Sequence, residues 1–432
     1  MTSTVGSIAG IMTSIAALAA SICLLSSFSS DEGRELRPLS GSFPTKELNK
    51  TLDNDMSESA ELAPMDRDIT NFMRQWQFQG AQVSVSRNDS LLFSKGYGEA
   101  GDGIAMTPGH ILRLASVSKL ITATGIMVLC DRDSLKLSDT VFGPDGILSD
   151  SLYTSAIKDR NYFKITVEDL LRHKGGFTTR RGDPMFTTKD IIVQNRLKSP
   201  PDSRTLMKII LGRPLDFLPG TSQSYSNFGY LILSLIIEKV SGQPYEDFIQ
   251  ENVLRPAGCY DFHIAGNLRS ERRPNETCYF VPSNEPLIPK YDNSGEYVVR
   301  CYGGNDIHAL SGAGAWTASS AELSRFVASI DGDPRLQDVI SEDSLGDMIE
   351  YFDPDTFSLG WNDTDPEKGW DRTGTFSGTS ALVHRYPDGE CWIFISNTSS
   401  WRGPAQARYT RELFRELREK YSAKLPKQDL FR

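Results

Sequence analysis

Ser116 and Lys119 lie at the start of a long apolar segment, and this arrangement constrains the chain more than any other feature of its sequence. The segment continues through residues 120–130, which predicts a buried helix. Residues three apart share one face of a helix, so the hydroxyl and the amine can meet. A cation in the first turn opposes the helix dipole, and burial favours the neutral amine, which can accept a serine proton. The pair is therefore a candidate nucleophile with its proton acceptor.

The same spacing recurs at Ser155 and Lys158, so two residues alone do not identify a nucleophile. That second pair lies in a polar stretch, and no long apolar helix follows it. Ser116 is the stronger candidate, and other motifs of the chain have to support it.

Charge and composition limit the classes of function. The net charge of −10 and the pI near 5.2 argue against a nucleic-acid partner, because phosphate binding requires a basic face. The 432 residues, 39% of them hydrophobic, are enough for a large core. The sequence has no Cys-x-x-Cys, no His-Glu-x-x-His and no Gly-rich phosphate loop, so neither a metal nor a cofactor is predicted. It also lacks the Gly-x-Ser-x-Gly elbow of α/β-hydrolases.

The N-terminal residues 1–30 predict a signal peptide or an uncleaved signal anchor, because residues 5–25 are mostly apolar. Residues 31–64 are Ser-rich and then charged, which is typical of a linker, and residues 65–432 form the predicted folded domain. We expect a secreted or lumenal protein, or one that residues 1–30 tether to a membrane. Five glycosylation sequons agree with that route: Asn49, Asn88, Asn275, Asn362 and Asn397.

Hydrophobic periodicity predicts strands near both ends of this domain and helices between them. The predicted strands cover 81–86, 91–98, 358–361, 381–385 and 392–396. The predicted helices cover 66–78, 116–130, 165–171, 228–240, 245–254, 321–330 and 405–421, with a loop at 178–205. The fold class is α/β of the α+β type, with one antiparallel sheet from about 65–110 and 355–432, flanked by helices, and a mainly helical inserted subdomain. Cys259, Cys278 and Cys301 are close enough in sequence for one disulfide.

Two further motifs follow Ser116 in order: Tyr225-Ser226-Asn227 before an apolar helix, and Arg372-Thr373-Gly374 near the C-terminal strands. In this order and with these flanks, the three motifs resemble the active-site signature of serine β-lactamases and penicillin-binding proteins. The tyrosine variant resembles the class C branch, with its D-peptidases, esterases and animal β-lactamase-like members. Stretches such as 165–177 and 219–230 extend the resemblance over roughly residues 66–420.

The resemblance implies the fold of that family and a role for each motif residue. Ser116 is the implied acylated nucleophile, Lys119 its proton partner, and Tyr225 a general base that later activates the deacylating water. Which of Lys119 and Tyr225 removes the serine proton stays open. Asn227, Arg372, Thr373, Gly374 and Thr375 are the implied substrate-binding residues. The implied oxyanion hole consists of the backbone N–H groups of Ser116 and Thr375.

The third motif departs from the family pattern, because Arg372 stands where a lysine or a histidine is usual. A guanidinium keeps the positive charge and can hold a carboxylate with two hydrogen bonds, but it cannot shuttle protons. We therefore expect acyl-serine chemistry on a peptide, amide or ester with a nearby carboxylate, rather than ordinary β-lactam turnover.

Two classes of function follow from these motifs. The first is a serine acyl hydrolase that forms an acyl-enzyme with a small-molecule or peptide substrate. The alternative is a catalytically impaired scaffold or binding protein that forms homo-oligomers, and Arg372 motivates it. The sequence leaves the oligomeric state open.

Overall fold

Both ends of the chain contribute strands to one seven-stranded sheet in the computed structural model, which describes residues 46–432. The strands are β1 Gly80–Arg87, β2 Ser90–Gly101, β3 Ile104–Ala105, β4 Leu112–Arg113, β5 His263–Ile264, β6 Ile288–Pro289, β7 Tyr297–Val298, β8 Trp316–Ala318, β9 Asp363–Asp365, β10 Gly369–Phe376, β11 Thr379–Arg385 and β12 Glu390–Ser396. The order of the main sheet is β3-β2-β1-β12-β11-β10-β9. An N-terminal hairpin therefore lies beside a C-terminal one, as the sequence predicts.

The helices lie mainly between these two groups of strands. They are α1 Leu48–Thr51, α2 Ala63–Trp76, α3 Ser118–Asp131, α4 Ser151–Thr154, α5 Val167–Leu171, α6 Thr188–Asn195, α7 Ser203–Leu211, α8 Asn227–Ser241, α9 Tyr245–Ile249, α10 Ser320–Ala328, α11 Glu342–Ile349 and α12 Gln406–Tyr421. A π-helical segment, Gln250–Leu254, continues α9. The mixed α/β architecture with an antiparallel sheet agrees with the predicted fold class.

Alternation along the strands explains why the sheet is covered on both faces. In β12, Trp392 and Phe394 pack with the helices α2 and α12, whereas Ile393 and Ile395 belong to the core that the inserted helices share. Successive side chains of a strand point to opposite faces, so one strand contributes to both cores. β1 pairs antiparallel with β12, with Ala81 opposite Ser396.

Helices α3 and α8 are buried along nearly their whole length. Their sequences are apolar all round, and a helix of that kind belongs inside a core. The N-terminus of each helix carries one of the sequence motifs. The cores that bury α3 and α8 therefore also fix where Ser116 and Asn227 lie.

The described residues correct several sequence predictions. Residues 46–64 are not a linker throughout, because Leu48 and Leu52 pack with Leu430 and Phe431 near the C-terminus. The segment 178–205 is not all loop, because it contains α6 and the start of α7. The predicted strand at 358–361 is absent from the described chain, and β9 and β10 form the sheet edge after it.

Other predictions concern the cysteines and the N-terminus. The five cysteines within 46–432 are all free, so this part of the chain shows no disulfide among Cys259, Cys278 and Cys301. The predicted signal segment, residues 1–30, lies outside the described residues. Among the helices of the described part, none combines the length and the apolar character needed to span a bilayer.

Candidate active site

Ser116 lies in a tight turn between β4 and α3. It is the middle residue of a 3-10 turn, Ala115–Val117, which runs directly into α3. Ala115 has a left-handed backbone with φ 48°, an uncommon conformation for a residue with a Cβ. This turn presents the Ser116 hydroxyl at the edge of the buried core, where the side chain stays partly exposed.

Two motif residues from different elements, Tyr225 and Lys119, lie within hydrogen-bond distance of the Ser116 hydroxyl. The phenol oxygen of Tyr225 lies 2.8 Å from Ser116 Oγ, and Lys119 Nζ lies 3.3 Å from the same oxygen. Lys119 Nζ also donates to Asn227 Oδ1 at 2.7 Å and to the carbonyl of Ala313. The hydroxyl therefore has two candidate proton acceptors within reach.

The N-terminus of α8 places Tyr225 and Asn227. Ser226 is the N-cap residue, and its Oγ accepts a hydrogen bond from the backbone N–H of Gly229 at 3.1 Å. Tyr225 thus precedes the helix and reaches Ser116, while Asn227 begins the helix and reaches Lys119. The cap explains why these two residues, separated by one position, face the same site.

His173 packs against the segment that carries Tyr225 and Ser226. Its ring packs 4.5 Å from the ring of Tyr225, and its Nδ1 accepts from the N–H of Ser226 at 3.2 Å. Burial lowers the pKa of His173 well below its usual value, and the charges of Lys119 and Arg372 lower it further. The imidazole is therefore neutral and acts as a support for Tyr225.

Arg372 lies in β10 and is fully buried. Its Nε donates to the backbone carbonyl of Ser116 at 2.8 Å, and its Nη2 lies 3.3 Å from the phenol oxygen of Tyr225. Nη1 has no hydrogen-bond partner among residues 46–432. The expectation that Arg372 holds a substrate carboxylate with two hydrogen bonds does not fit this burial. The guanidinium instead faces the phenol and the nucleophile's own backbone.

The rest of the third motif passes very close to the nucleophile. A Cβ at Gly374 would lie 2.2 Å from the carbonyl oxygen of Leu114 and 3.1 Å from the nitrogen of Ser116. Only glycine permits this approach, and it brings the backbone of Thr375 beside Ser116. The N–H and Oγ1 of Thr373 both donate to Asn362 Oδ1, at 2.8 and 3.1 Å. Asn362 was predicted only as a glycosylation site, and its support of the third motif has no sequence signal.

Electrostatics at the site favour a proton acceptor near neutral pH. Burial lowers the pKa of Lys119 to about 8, although the negative charge of an ionised Tyr225 opposes the shift. Burial by itself would raise the pKa of Tyr225, but the positive charges of Lys119 and Arg372 bring it below its usual value. Two buried cations therefore stabilise a phenolate next to the serine hydroxyl.

A narrow cleft, partly open to solvent, lies beside Tyr225. Its walls include Phe177, Asp183, Arg213 and Asp216, on segments that follow α5 and α7. Asp183 Oδ2 accepts a hydrogen bond from Asn227 Nδ2 at 2.7 Å. Sequence reasoning missed Asp183, because nothing in the stretch 178–187 indicates which carboxylate meets the second motif.

The structure also bears on the remaining predicted sites. Asn397 is fully buried and its Nδ2 donates to the carbonyl of Glu99 at 2.9 Å, so a glycan at Asn397 is incompatible with this fold. The other four sequons stay predictions. Within residues 46–432, no three His, Cys, Asp or Glu side chains are grouped so as to hold a metal ion.

Comparison with known proteins agrees with this geometry. A sequence model of the family described as Beta-lactamase matches residues 65–415, which is most of the chain. The chain belongs to the Beta-lactamase family. It is therefore a β-lactamase-related serine hydrolase, in agreement with the resemblance that the motifs indicate.

Within the Beta-lactamase family, the chain is similar to Penicillin-binding protein 4* of Bacillus subtilis (strain 168), with 27% identity over 339 residues that cover 74% of this chain and 68% of that protein. It is 29% identical over 217 residues to a putative D-alanyl-D-alanine carboxypeptidase of Escherichia coli O157:H7, covering 46% of this chain and 48% of that protein. The crystal structure of a D-stereospecific amidohydrolase from Streptomyces sp. has a TM-score of 0.59 at 21% identity, covering 80% of this chain and 96% of that one. The last likeness shows a shared fold.

Proposed function

We propose that this member of the Beta-lactamase family hydrolyses a peptide, amide or ester through an acyl-enzyme on Ser116. The observation that carries the proposal is the meeting of Tyr225 and Lys119 at the Ser116 hydroxyl, at 2.8 and 3.3 Å. A nucleophile with a base in hydrogen-bond reach, held in turn by a third group, is the arrangement that acyl transfer requires. The tyrosine in the second motif favours a mechanism of the class C type.

In the proposed reaction, Tyr225 or Lys119 takes the Ser116 proton as Oγ bonds to the substrate carbonyl carbon. The charge that develops on the carbonyl oxygen is stabilised by the N–H groups of Ser116 and Thr375, which Gly374 brings together. The leaving group departs with a proton as the acyl-serine ester forms. Water, activated by the same base, then attacks that ester and releases the acid.

The burial of Arg372 narrows the expected substrates. Its guanidinium is directed at Ser116 and Tyr225, so it acts on the charge of the base rather than on a substrate carboxylate. We propose that substrates with a capped or neutral leaving group are cleaved at least as fast as those with a free carboxylate. A panel should pair each free peptide with its amide and ester, and include D-residues, because one relative is named a putative D-alanyl-D-alanine carboxypeptidase.

The test is covalent labelling of Ser116 by a fluorophosphonate, located by mass spectrometry. We expect one adduct on Ser116, absent in Ser116→Ala, and a loss of turnover on the order of 10⁶-fold in that variant. Ser155→Ala is the matched control, since it removes the serine of the second Ser-x-x-Lys pair, and it should label normally. A folded protein that is not labelled would contradict the proposal.

The competing proposal of an impaired scaffold makes an opposite prediction for Arg372. If native Arg372 prevents turnover, then Arg372→Lys or Arg372→His should create activity that the native chain lacks. If the native chain is active, both changes should reduce it, because neither side chain can bind the Ser116 carbonyl and the Tyr225 oxygen with the same fork of donors. Labelling followed by slow or no release would indicate acylation without turnover.

A further inference from the structure

We infer that Asp183 is a positioning residue that fixes the amide of Asn227, and through it Lys119, in the orientation that the reaction on Ser116 needs. This inference rests on the proposed function. It concerns a residue outside the three motifs, on the segment between α5 and α6.

Asp183 is the outer end of a continuous chain of hydrogen bonds. Its Oδ2 accepts from Asn227 Nδ2 at 2.7 Å, and Asn227 Oδ1 accepts from Lys119 Nζ at 2.7 Å. Lys119 Nζ in turn lies 3.3 Å from Ser116 Oγ. The carboxylate thus reaches the nucleophile through two intervening side chains.

The chemistry of the two neighbours leaves one orientation for the Asn227 amide. An ionised carboxylate only accepts hydrogen bonds, and an ammonium group only donates them. Turning the amide over would place its Nδ2 against Lys119 and its Oδ1 against Asp183, two donors together and two acceptors together. Nδ2 carries two hydrogens, so the one that Asp183 does not use keeps a fixed direction for a substrate acceptor.

Asp183 matters most when Lys119 is neutral. A neutral amine has a lone pair and accepts hydrogen bonds, so Lys119 alone no longer distinguishes the two ends of the amide. A neutral Lys119 is one of the states that proton transfer from Ser116 requires. With Asp183 present, the amide orientation is the same in both protonation states of the lysine.

The segment around Asp183 is built to hold this carboxylate still. Asp183 Oδ1 accepts from the N–H of Met185 at 2.9 Å, and the Asp183 carbonyl accepts from the N–H of Phe186 at 2.9 Å and from Thr187 Oγ1 at 3.1 Å. A carboxylate bound on one oxygen to its own turn presents the other oxygen in a defined direction. That oxygen is the one that meets Asn227.

The charged and titratable groups around Lys119 come from three parts of the chain: Tyr225 and Tyr230 at the start of α8, Arg372 in β10, and His173 and Asp183 between α5 and α6. Burial raises the pKa of Tyr230, so its phenol is neutral. His173 is neutral and Arg372 is permanently charged, so Asp183 and Tyr225 supply the negative charge near the amine. Removing the carboxylate should therefore make protonated Lys119 less stable.

The test compares Asp183→Asn, Asp183→Ala and Asp183→Glu with Asp216→Asn. Asp183→Asn has the size of the native side chain but can present either an acceptor or a donor. It therefore no longer fixes the orientation of the Asn227 amide, with little change in packing. Asp216 lines the same cleft and has Thr178 Oγ1 at 2.6 Å and Arg181 at 3.9 Å as side-chain partners. It is the matched control for loss of a carboxylate in the cleft.

We expect fluorophosphonate labelling of Ser116 to slow by about 10²-fold in Asp183→Asn and Asp183→Ala, the effect of a misplacement of about 1 Å in a catalytic group. Asp183→Glu, which remains an acceptor only, should recover part of the rate. Native labelling of the Asp183 variants would overturn the inference. Slow labelling of the Asp183 variants would also overturn it if their lower thermal midpoints fully account for the slower rate.

A second measurement does not depend on activity. The titration of Lys119, followed by NMR of ¹³Cε-labelled lysine and assigned with Lys119→Met, should move to lower pH in Asp183→Asn and stay unchanged in Asp216→Asn. If the native protein is not labelled at all, the proposed function fails while this titration still decides the role of Asp183. If the titration is the same in all three proteins, the inference is wrong whatever the labelling shows.

Discussion

Replacing Gly374 with alanine tests the claim that the third motif must touch the nucleophile's backbone. The added Cβ would lie 2.2 Å from the Leu114 carbonyl oxygen, whereas real Cβ atoms essentially never come closer than 3.0 Å. The two backbones must therefore separate by about 0.8 Å (3.0 minus 2.2). The atom that is hit is backbone, so no side-chain rotation can relieve the contact.

That displacement falls on the residues that matter for chemistry. Thr373 and Thr375 flank Gly374 in β10, and the clash is with the carbonyl of Leu114, two residues before Ser116. A shift near 1 Å in a reacting group costs about 10²-fold, and loss of one oxyanion donor costs about 10²–10³-fold. We expect Gly374→Ala to slow labelling of Ser116 by at least about 10²-fold.

The assay is the second-order rate of fluorophosphonate labelling, with the thermal midpoint measured on the same samples. Gly346→Ala is the control, because a Cβ at Gly346 in α11 meets no atom within 4 Å, and alanine favours a helix by about 1 kcal/mol. It should label like the native chain and unfold at the same or a higher temperature. Gly374→Ala labelling within twofold of native, with an unchanged midpoint, would refute the reasoning about close approach.

Three other predictions follow from the site and the core. Burial lowers the pKa of Lys119 to about 8. Because the acceptor of the serine proton must be deprotonated, the rate of Ser116 labelling should rise as the pH increases through about 8. A rate that is flat between about pH 6 and pH 9 would argue against both Lys119 and Tyr225 as the base. Tyr225→Phe should lower turnover by about 10²–10⁴-fold without unfolding the chain, and turnover within a factor of two of native would remove Tyr225 from the mechanism. Burial raises the pKa of Glu322 from 4.5 to about 7, so stability that Glu322 provides at low pH is lost as the pH rises through about 7. In urea unfolding, the free energy of unfolding of the native protein should fall by on the order of 3 kcal/mol between about pH 5 and pH 8, and Glu322→Gln should abolish that loss. If the free energy of unfolding has the same pH dependence in both proteins, the prediction is wrong.

The sequence alone determined the order of the three motifs and the buried helices at the first two, whereas the strand β10, which carries the third motif, was not predicted. An apolar run after Ser116 and another after Asn227 can only be buried helices, so their first turns must lie where a core meets solvent. The strands near both ends of the domain followed from alternation, since a strand with one apolar face needs a partner sheet or helix. These features depend on local periodicity, which a sequence displays directly.

The tertiary structure alone decided how the motifs meet and what their side chains do. Arg372 looked like a group for a substrate carboxylate, and its burial against Ser116 and Tyr225 directs it to the base instead. Asp183 lies 44 residues before Asn227 and Asn362 lies 11 before Thr373, yet each makes a direct hydrogen bond. Such pairings depend on how separate elements pack against each other. Local sequence patterns report the type of an element and not its distance from another element, so they cannot indicate which two side chains will meet.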